Sequence, residues 1–445
     1  MEENWLDRFD DRLNPVLVKE LRQSVGALFI LSGLMLIALL AALYLTVLVR
    51  PDQADDMFDA ITVILGLAWQ VSAVMFGLRF SSERSGDDDL IFITPLSPLR
   101  MVVGKLCSIL TVDLFFLFLA LPFIFSGYVL SGVGATEIFS ALLLLVIISL
   151  PVSALSLMLG GIRTRNRNRN GMVIFAGFFG LGLLSLLPEA QFFNVMSFFN
   201  AGVISLGTTA VFLLLAVGAL IPAGGNRTFA GKIAAAVTVA AITAMSFMPQ
   251  QHKIELPLSA LLLTVFMGLV GCFEPLAPSS RILSGVPRTK LLRPLYFLFS
   301  GNALSSLLYF PLLAAVALIP GWCGISEAKK SVHEMLTLCL CIWGYVMLVL
   351  LFRRLFASFG MKRENVPGTA FAVVAVLVFT YSLFGMITIE NLGVSAGLLC
   401  FSPVVLTVAD DASTGILGGI FMCVVFGVAL MPHLCRTIGK FMRKN

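Results

Sequence analysis

Apolar runs of about twenty residues recur along this chain and constrain its fold more than any other feature. Crossing a hydrocarbon core about 30 Å thick takes about 20 helical residues, and a helix satisfies its own backbone hydrogen bonds in lipid. Apolar residues make up 58% of the chain and charged residues only 12%, a composition outside the range of soluble globular proteins. The sequence therefore predicts an all-α, polytopic helical membrane protein. We predict twelve transmembrane helices: Val25–Val49, Phe58–Leu78, Met101–Leu130, Ile138–Gly161, Met172–Leu187, Ala201–Ala223, Ile233–Met248, Leu256–Phe273, Leu295–Pro320, Val332–Phe352, Thr369–Ile389 and Ile416–Pro432.

The distribution of Lys and Arg predicts the orientation of these spans, because cytoplasmic connections are enriched in both residues. If the N-terminus is cytoplasmic and twelve spans alternate, 26 of the 30 basic residues lie on the cytoplasmic side. The exceptions are Arg50, Lys253, Lys329 and Lys330. A further apolar stretch, Leu392–Ala409, is interrupted by a Phe-Ser-Pro sequence, and we interpret it as a re-entrant or interfacial helix. Counting it as a span would move the basic C-terminal tail outside, so we expect both termini in the cytoplasm.

The spans group into two six-helix halves, which join at Gly224-Gly225-Asn226. We predict a cytoplasmic N-terminus with an interface helix (residues 1–24), a first six-span half (25–223), a second six-span half (224–432) and a basic cytoplasmic tail (433–445). Each half has a long polar connection between its second and third spans, Arg79–Lys105 and Glu274–Pro294. This layout suggests that the second half duplicates the first, so that one chain would form a pseudo-dimer. A dimer of two chains is the alternative.

The segment before the first span has the pattern of a capped helix. Asn14 is a favourable N-cap residue, and Pro15 is a favourable first helical residue. Leu17, Leu21, Ser24 and Leu28 would share one face of this helix. An amphipathic helix at the membrane interface and a helical extension of the first span fit this periodicity equally well.

The connection Arg79–Lys105 is longer and more polar than a simple reversal of chain direction requires. We predict a short helix at Ser85–Ile93 and a turn at Thr94–Pro98, followed by the start of the third span. A polar connection of this length and organisation indicates a surface that contacts a cytoplasmic partner.

These two segments together resemble the membrane (permease) subunit of a type-2 ATP-binding-cassette (ABC) transporter, a family that includes many bacterial exporters. The family begins with an N-P-hydrophobic-K-E-L-R interface helix, matched here by Asn14, Pro15, Lys19, Glu20, Leu21 and Arg22. After its second span the family carries an E-R-x-x-G-T-L-E-L-L-x-x-T-P-L-S-P-like segment that forms the coupling helix. The chain matches that segment at Glu83, Arg84, Gly86, Asp89, Leu90, Thr94, Pro95, Leu96, Ser97 and Pro98, and Gly104-Lys105 continues the match. Asp87 and Asp88 replace the usual Thr and apolar residue, which makes this surface more acidic.

The resemblance covers Asn14–Ala223 and its six spans, whereas the second half matches in arrangement only. It implies an ATP-driven exporter in the bacterial cytoplasmic (inner) membrane. It also implies a separate ABC ATPase subunit as partner, which docks on the coupling helix and holds ATP and Mg²⁺.

The chain itself lacks a sequence that would hold ATP. Its nearest approach to G-x-x-x-x-G-K-[ST] is Gly225–Lys232, where the glycine spacing differs and Ile233 replaces Ser or Thr. We therefore expect a transport subunit that is not an enzyme and has no cofactor of its own.

A few other residues are candidates for function. Asp113 lies inside the third span and, because intramembrane carboxylates are costly, is a candidate for a substrate or proton path. In the alternative reading, water or Lys105 reaches it from the cytoplasmic end. The basic run Arg163–Asn170 fits a cytoplasmic anchor, a contact with anionic lipid headgroups or a contact with the acidic surface of a partner. The spacing of His and Cys predicts no metal site, and nothing in the chain predicts nucleic-acid binding.

Two other classes of protein stay open. Ion-coupled secondary transporters also use six plus six spans, and Glu83-Arg84-Ser85-Gly86 is similar to the centre of the motif between their second and third spans. Asp87-Asp88 stand where that motif has two basic residues. The third class is a non-transporting membrane scaffold. The weakly polar spans favour a lipophilic or amphipathic substrate over a small ion.

Overall fold

The chain is an all-α polytopic membrane protein, seen here in a computed structural model. The structure describes residues 14–24, 27–49, 54–83, 97–131, 134–162, 195–222, 224–248, 255–323, 328–359, 367, 369–376 and 412–442. In these ranges, eight helical segments are long and apolar enough to cross a membrane. They are Met57–Glu83, Pro98–Ser126, Ala135–Gly161, Phe199–Leu220, Leu256–Phe273, Ala303–Pro320, Met335–Ser358 and Ile420–Met442. Two shorter apolar helical segments, Leu31–Thr46 and Phe229–Met245, accompany them.

The N-terminal unit comprises Met1–Ile221. Its described helices are α1 (Pro15–Ser24), α2 (Ala27–Val49), α3 (Ala54–Glu83), α4 (Pro98–Ser131), α5 (Ala135–Gly161) and α6 (Val195–Leu220). Small residues allow α3 and α5 to approach closely, as they do in many membrane bundles. A Cβ atom added at Gly160 would collide with the backbone carbonyl of Gly77.

The C-terminal unit comprises Pro222–Asn445. Its described helices are α7 (Phe229–Met245), α8 (Glu255–Phe273), α9 (Ser280–Ser284), α10 (Leu292–Phe299), α11 (Ala303–Trp322), α12 (Ala328–Ser358) and α13 (Ala412–Met442). Residues 369–376 are also helical. As in the first unit, glycines permit close packing, here between α8 and α11, where Gly271 faces Ser306.

The two units, each taken by itself, have the same pattern of helix packing. In the first unit α2 contacts α3 and α4, α3 contacts α4 and α5, α4 contacts α5 and α6, and α5 contacts α6. In the second unit α7, α8, α11, α12 and α13 repeat these contacts in the same order. The similarity of the two halves is therefore seen in packing as well as in the layout of spans.

One predicted span is wrong at its start. The sequence predicts a continuous span over Leu295–Pro320, but α10 ends at Phe299 and α11 begins at Ala303. The chain leaves helical geometry at Ser300, and the side-chain oxygen of Asn302 accepts a hydrogen bond from the N–H of Leu304 (3.1 Å). This polar break separates an amphipathic helix, α10, from the apolar helix that follows it.

The last predicted span also needs correction, because α13 continues through Pro432 to Met442. Most of the segment predicted as a tail is therefore helical. Phe441 explains the extension, since its fully buried ring packs against Ile282, Val286 and Phe297. The predicted span Met172–Leu187, the basic run Arg163–Asn170 and the re-entrant stretch Leu392–Ala409 lie outside the described residues. The count of twelve spans and the cytoplasmic position of the termini stay predictions.

Candidate functional site

The first candidate site is a cluster of four charged side chains, Lys19, Glu20, Glu83 and Lys105, which we call the first polar cluster. Lys105 Nζ lies 2.8 Å from Glu83 Oε2 and forms a second ion pair with Glu20. Lys19 Nζ lies 3.2 Å from the other Glu83 oxygen, Oε1. The cluster therefore joins three helices: α1, the end of α3 and the second turn of α4.

Burial distinguishes the members of this cluster. The side chains of Glu20 and Lys105 are 1% and 4% exposed, whereas that of Lys19 is 52% exposed. Lys105 also lies 4.9 Å from the centre of the Phe80 ring, within the range of a cation–π contact. Buried charges are stable only when they are paired. The pair Glu20–Lys105 is thus the part of the cluster on which the packing of α1 depends.

Two further contacts hold the two ends of α1. Asn14 Nδ2 donates to the backbone carbonyl of Arg100 at 2.6 Å, next to the start of α4. Arg79 donates from its guanidinium group to Ser24 Oγ at 2.9 Å. Both ends of α1 are therefore attached to the helices on either side of the connection between spans 2 and 3.

The face of α1 that is buried differs from the apolar face expected from the sequence. The sequence places Leu17, Leu21, Ser24 and Leu28 on one face, but α1 ends at Ser24 and its buried residues are Val16, Glu20 and Ser24. These three are four residues apart and also share a face of the helix. A charged residue lies at the centre of this buried face because Lys105, 85 residues away in sequence, supplies its counter-charge.

The predicted site residues fall into two groups. In the described structure Asn14, Lys19, Glu20 and Glu83 come together around α1. Ser97 caps the start of α4, since its Oγ accepts a hydrogen bond from the N–H of Arg100 at 3.3 Å. Pro15, Leu21 and Arg22 lie in α1, and Pro98 is the first residue of α4. Seven predicted coupling residues lie outside the described residues: Arg84, Gly86, Asp89, Leu90, Thr94, Pro95 and Leu96.

From the sequence, Lys105 is expected only as a continuation of the coupling motif or as a neighbour of Asp113, and its ion pairs with Glu20 and Glu83 were not predicted. One signal was available, because Lys105 is a charged residue inside the apolar span predicted from Met101. A lysine at such a position needs a counter-ion or a route to water.

The second unit contains a corresponding arrangement, formed by Thr228, Lys232, Glu274 and Ser306, which we call the second polar cluster. Lys232 Nζ lies 3.0 Å from Glu274 Oε2, and their side chains are 0% and 4% exposed. Lys232 also donates to the backbone carbonyl of Ser300 at 2.7 Å. The remaining carboxylate contacts come from the hydroxyls of Thr228 and Ser306. From the sequence, Lys232 and Glu274 are expected in cytoplasmic connections, and Lys232 also ends the incomplete nucleotide-binding pattern, so their ion pair was not predicted.

The two clusters match in their positions along the chain. In each unit an Asn near the start of the first helix forms a hydrogen bond with the backbone at or just before the third span, but with opposite polarity: Asn14 Nδ2 donates to Arg100 O, whereas Asn226 Oδ1 accepts from the N–H of Gly301. A Lys that follows the Asn by five or six residues then pairs with a Glu at or next to the end of the second span. No protein-family model, curated protein or solved structure matches this chain. The similarity of these contacts in the two units is therefore a comparison within the chain itself.

Asp113 lies in α4, about 12 Å along the helix from Lys105. Its carboxylate is 2% exposed, and Ser72 Oγ donates to Oδ1. Within the described residues, Oδ2 has no hydrogen-bond partner. The ammonium group of Lys105 instead contacts Glu20 and Glu83, so it does not serve as the counter-ion of Asp113.

Within the described ranges, no group of three or more His, Cys, Asp or Glu side chains could hold a metal ion. The paired charges instead join helices to one another, which suits the transmission of movement.

Proposed function

We propose that this chain is the membrane-spanning subunit of an ATP-driven transporter, an exporter, which is coupled to a separate cytoplasmic ATPase through the segment from Glu83 to Pro98. The proposal includes twelve spans, cytoplasmic termini and a location in the bacterial inner membrane. The observation that carries it is the first polar cluster, which joins α1 to both ends of that segment.

The geometry explains how such coupling would work. The segment from residue 84 to residue 96 leaves α3 at Glu83 and enters α4 at Pro98. The carboxylate of Glu83 is held by Lys105 of α4 and Lys19 of α1. A partner that moved this segment would therefore move three helices as one body. Binding energy from ATP on the partner would shift the spans only if these contacts differ between two states.

The proposed function also assigns a role to the second unit. We take the two units to be structural repeats, so that one chain forms a pseudo-dimer. The matching helix contacts support this, as do the Asn–backbone and Lys–Glu contacts found in both units. A single chain would then provide both halves of the transport path.

Co-purification with the ATPase tests the docking part of the proposal. The tagged full-length chain would be co-expressed with a soluble ATPase encoded beside it. We expect Leu96→Arg to weaken the complex by about tenfold or more, because the substitution puts a charge in place of an apolar side chain in the proposed docking segment. A wild-type chain that retains no ATPase, and that transports in response to a proton gradient alone, would refute the proposal.

A second pair of variants separates docking from transmission. We expect Glu83→Gln to retain the ATPase but to reduce the stimulation of ATP hydrolysis by the membrane subunit, because the neutral amide holds Lys19 and Lys105 less strongly. Glu137→Gln is the matched control, since Glu137 lies at the start of α5 and contacts the N–H of Gly134 at 3.2 Å. Equal stimulation by the wild type and Glu83→Gln would contradict transmission through the cluster.

The alternative of a proton-coupled secondary transporter has one observation in its favour, the buried and half-partnered carboxylate of Asp113. Under that alternative, Asp113→Asn abolishes flux driven by a pH gradient. Under the leading proposal, ATP-driven flux needs no pH gradient and survives its collapse by an uncoupler.

A further inference from the structure

An apolar groove runs along the surface of the first unit between α2 and α3, with α4 as its floor. Its volume is about 460 Å³, within the range of about 300–1,000 Å³ that is usual for ligand pockets. Val112 and Phe116 of α4 are buried and close its inner side. The rims are open, since Met35 of α2 and Val71 of α3 are 64% and 60% exposed.

The groove has the length of a lipid chain. On α3 its lining extends from Ile64 to Arg79, which corresponds to about 22 Å along the helix axis. One leaflet of a hydrocarbon core of about 30 Å is about 15 Å deep. The groove is therefore long enough to hold an acyl chain that spans the full depth of one leaflet.

The charge in the groove lies at one end, and the hydroxyl side chains of Ser32 and Ser72 lie between the two ends. Arg79 and Ser24 lie together at one end, the end that the Lys and Arg distribution assigns to the cytoplasm. The opposite end is lined by apolar residues such as Leu39 and Ile64. Arg79 stacks 5.7 Å from the ring of Phe76 and donates to the Ser24 hydroxyl. Among the described residues no carboxylate pairs with it, so a guanidinium with donors to spare faces the mouth of the groove.

We propose that this groove is a binding site for an anionic membrane lipid, with one acyl chain along α2 and α3 and the phosphate of the headgroup at Arg79. Its exposed apolar walls favour a lipid over a soluble ligand, because they face the region in which hydrocarbon chains are the solvent. Arg79 favours an anionic headgroup, because guanidinium groups bind phosphate oxygens in a paired geometry. The site does not depend on an ATPase or on transport.

The lipid would have a structural consequence for the first polar cluster. Arg79 lies one turn before Glu83 on α3, and Ser24 lies one turn after Glu20 on α1. A phosphate at Arg79 would therefore lie beside the contacts that hold α1. Bound lipid would stabilise the position of α1 against α3.

Photo-crosslinking tests the proposal with the full-length protein in vesicles of phosphatidylcholine. Two probes are compared at trace amounts, phosphatidylglycerol and phosphatidylcholine, each with a diazirine on its acyl chain. Labelled peptides are then identified by mass spectrometry. We expect labelling to concentrate on α2 between Leu31 and Leu39 and on α3 between Ile64 and Met75. The anionic probe should label these stretches about fivefold more than the zwitterionic probe.

Substitutions test the headgroup position and the acyl-chain groove separately. Arg79→Gln should equalise labelling by the two probes, whereas Arg100→Gln, an exposed arginine at the start of α4, should preserve the difference. Met35→Trp should fill the groove and reduce labelling by both probes. Leu206→Trp is its control, on an exposed position of α6.

Three results would overturn the proposal. One is equal labelling of all exposed apolar helices, and a second is an unchanged headgroup preference in Arg79→Gln. The third concerns a different occupant: if Met35→Cys forms a disulfide-linked dimer with another chain in native membranes while the groove takes no lipid label, a second copy occupies it.

Discussion

Replacing Lys105 by Met removes the cation on which the first polar cluster depends. Glu20 would then retain a carboxylate that is 1% exposed and has lost its ion-pair partner. Glu83 would be affected less, because its side chain is 21% exposed and still contacts Lys19. Breaking a buried ion pair by removing one partner costs about 3–5 kcal/mol. We therefore expect Lys105→Met to lower the free energy of unfolding of the first unit by about that amount.

Thermal unfolding of the detergent-purified chain measures this effect. For a unit of this size, 1 kcal/mol corresponds to a shift in midpoint of about 2–4 °C, so the variant should unfold about 10 °C below the wild type. Proteolysis of α1 at ambient temperature provides a local readout, because α1 loses its central attachment. The cleavage rate should rise in proportion to the population of the detached helix.

A double-mutant cycle separates the ion pair from other effects of the substitution. Glu20→Gln combined with Lys105→Met leaves no unpaired buried charge, so we expect the double variant to be more stable than Lys105→Met alone by about 2 kcal/mol. Lys19→Met is the surface control and should cost no more than about 1 kcal/mol, since Lys19 is 52% exposed. Equal effects of Lys105→Met and Lys19→Met, or a cycle that shows no coupling, would contradict a stabilising Glu20–Lys105 ion pair.

Three further predictions concern the packing of the two units, each measured by thermal unfolding of the purified chain. Lys232→Met should destabilise the second unit by about 3–5 kcal/mol because its carboxylate partner stays buried, and a loss below 1 kcal/mol would contradict the pairing. Gly160→Ala should cost about 1–3 kcal/mol because the new Cβ collides with Gly77. Gly202→Ala is its control and should be neutral or slightly stabilising, because no atom lies within 4 Å of the new Cβ. Phe441→Ala should cost about 3–5 kcal/mol because its ring is fully buried; an unchanged midpoint would mean that the end of α13 does not pack as described.

The sequence predicted helices well where hydropathy acts alone. The start of α8 and the end of α5 agree within a residue or so with the apolar runs at Leu256–Phe273 and Ile138–Gly161. The prediction was poorer where polar residues extend or interrupt a helix. The third helix runs to Glu83, past the apolar boundary at Leu78, because Arg79 and Glu83 find partners on other helices.

The contacts of the candidate site join residues that are distant in sequence, so local sequence patterns could not predict them. Asn14, Lys19 and Glu83 were identified from a motif, but the motif did not reveal that they contact one another or Arg100 and Lys105. No sequence pattern predicted the second polar cluster, although Lys232 ends the incomplete nucleotide-binding pattern and Glu274 begins a polar connection. Its Lys and Glu are 42 residues apart and resemble ordinary residues of cytoplasmic connections.

Helical structure and a membrane location follow from the sequence alone, because span length, hydropathy and charge bias are properties of each segment and its solvent. Which charges are buried depends on how the fold brings distant helices together. Glu20 can lie on the inner face of α1 because the fold brings Lys105 to it from 85 residues away. Charge burial is decided by such distant partners, since the same carboxylate would be prohibitively costly alone and stable when paired.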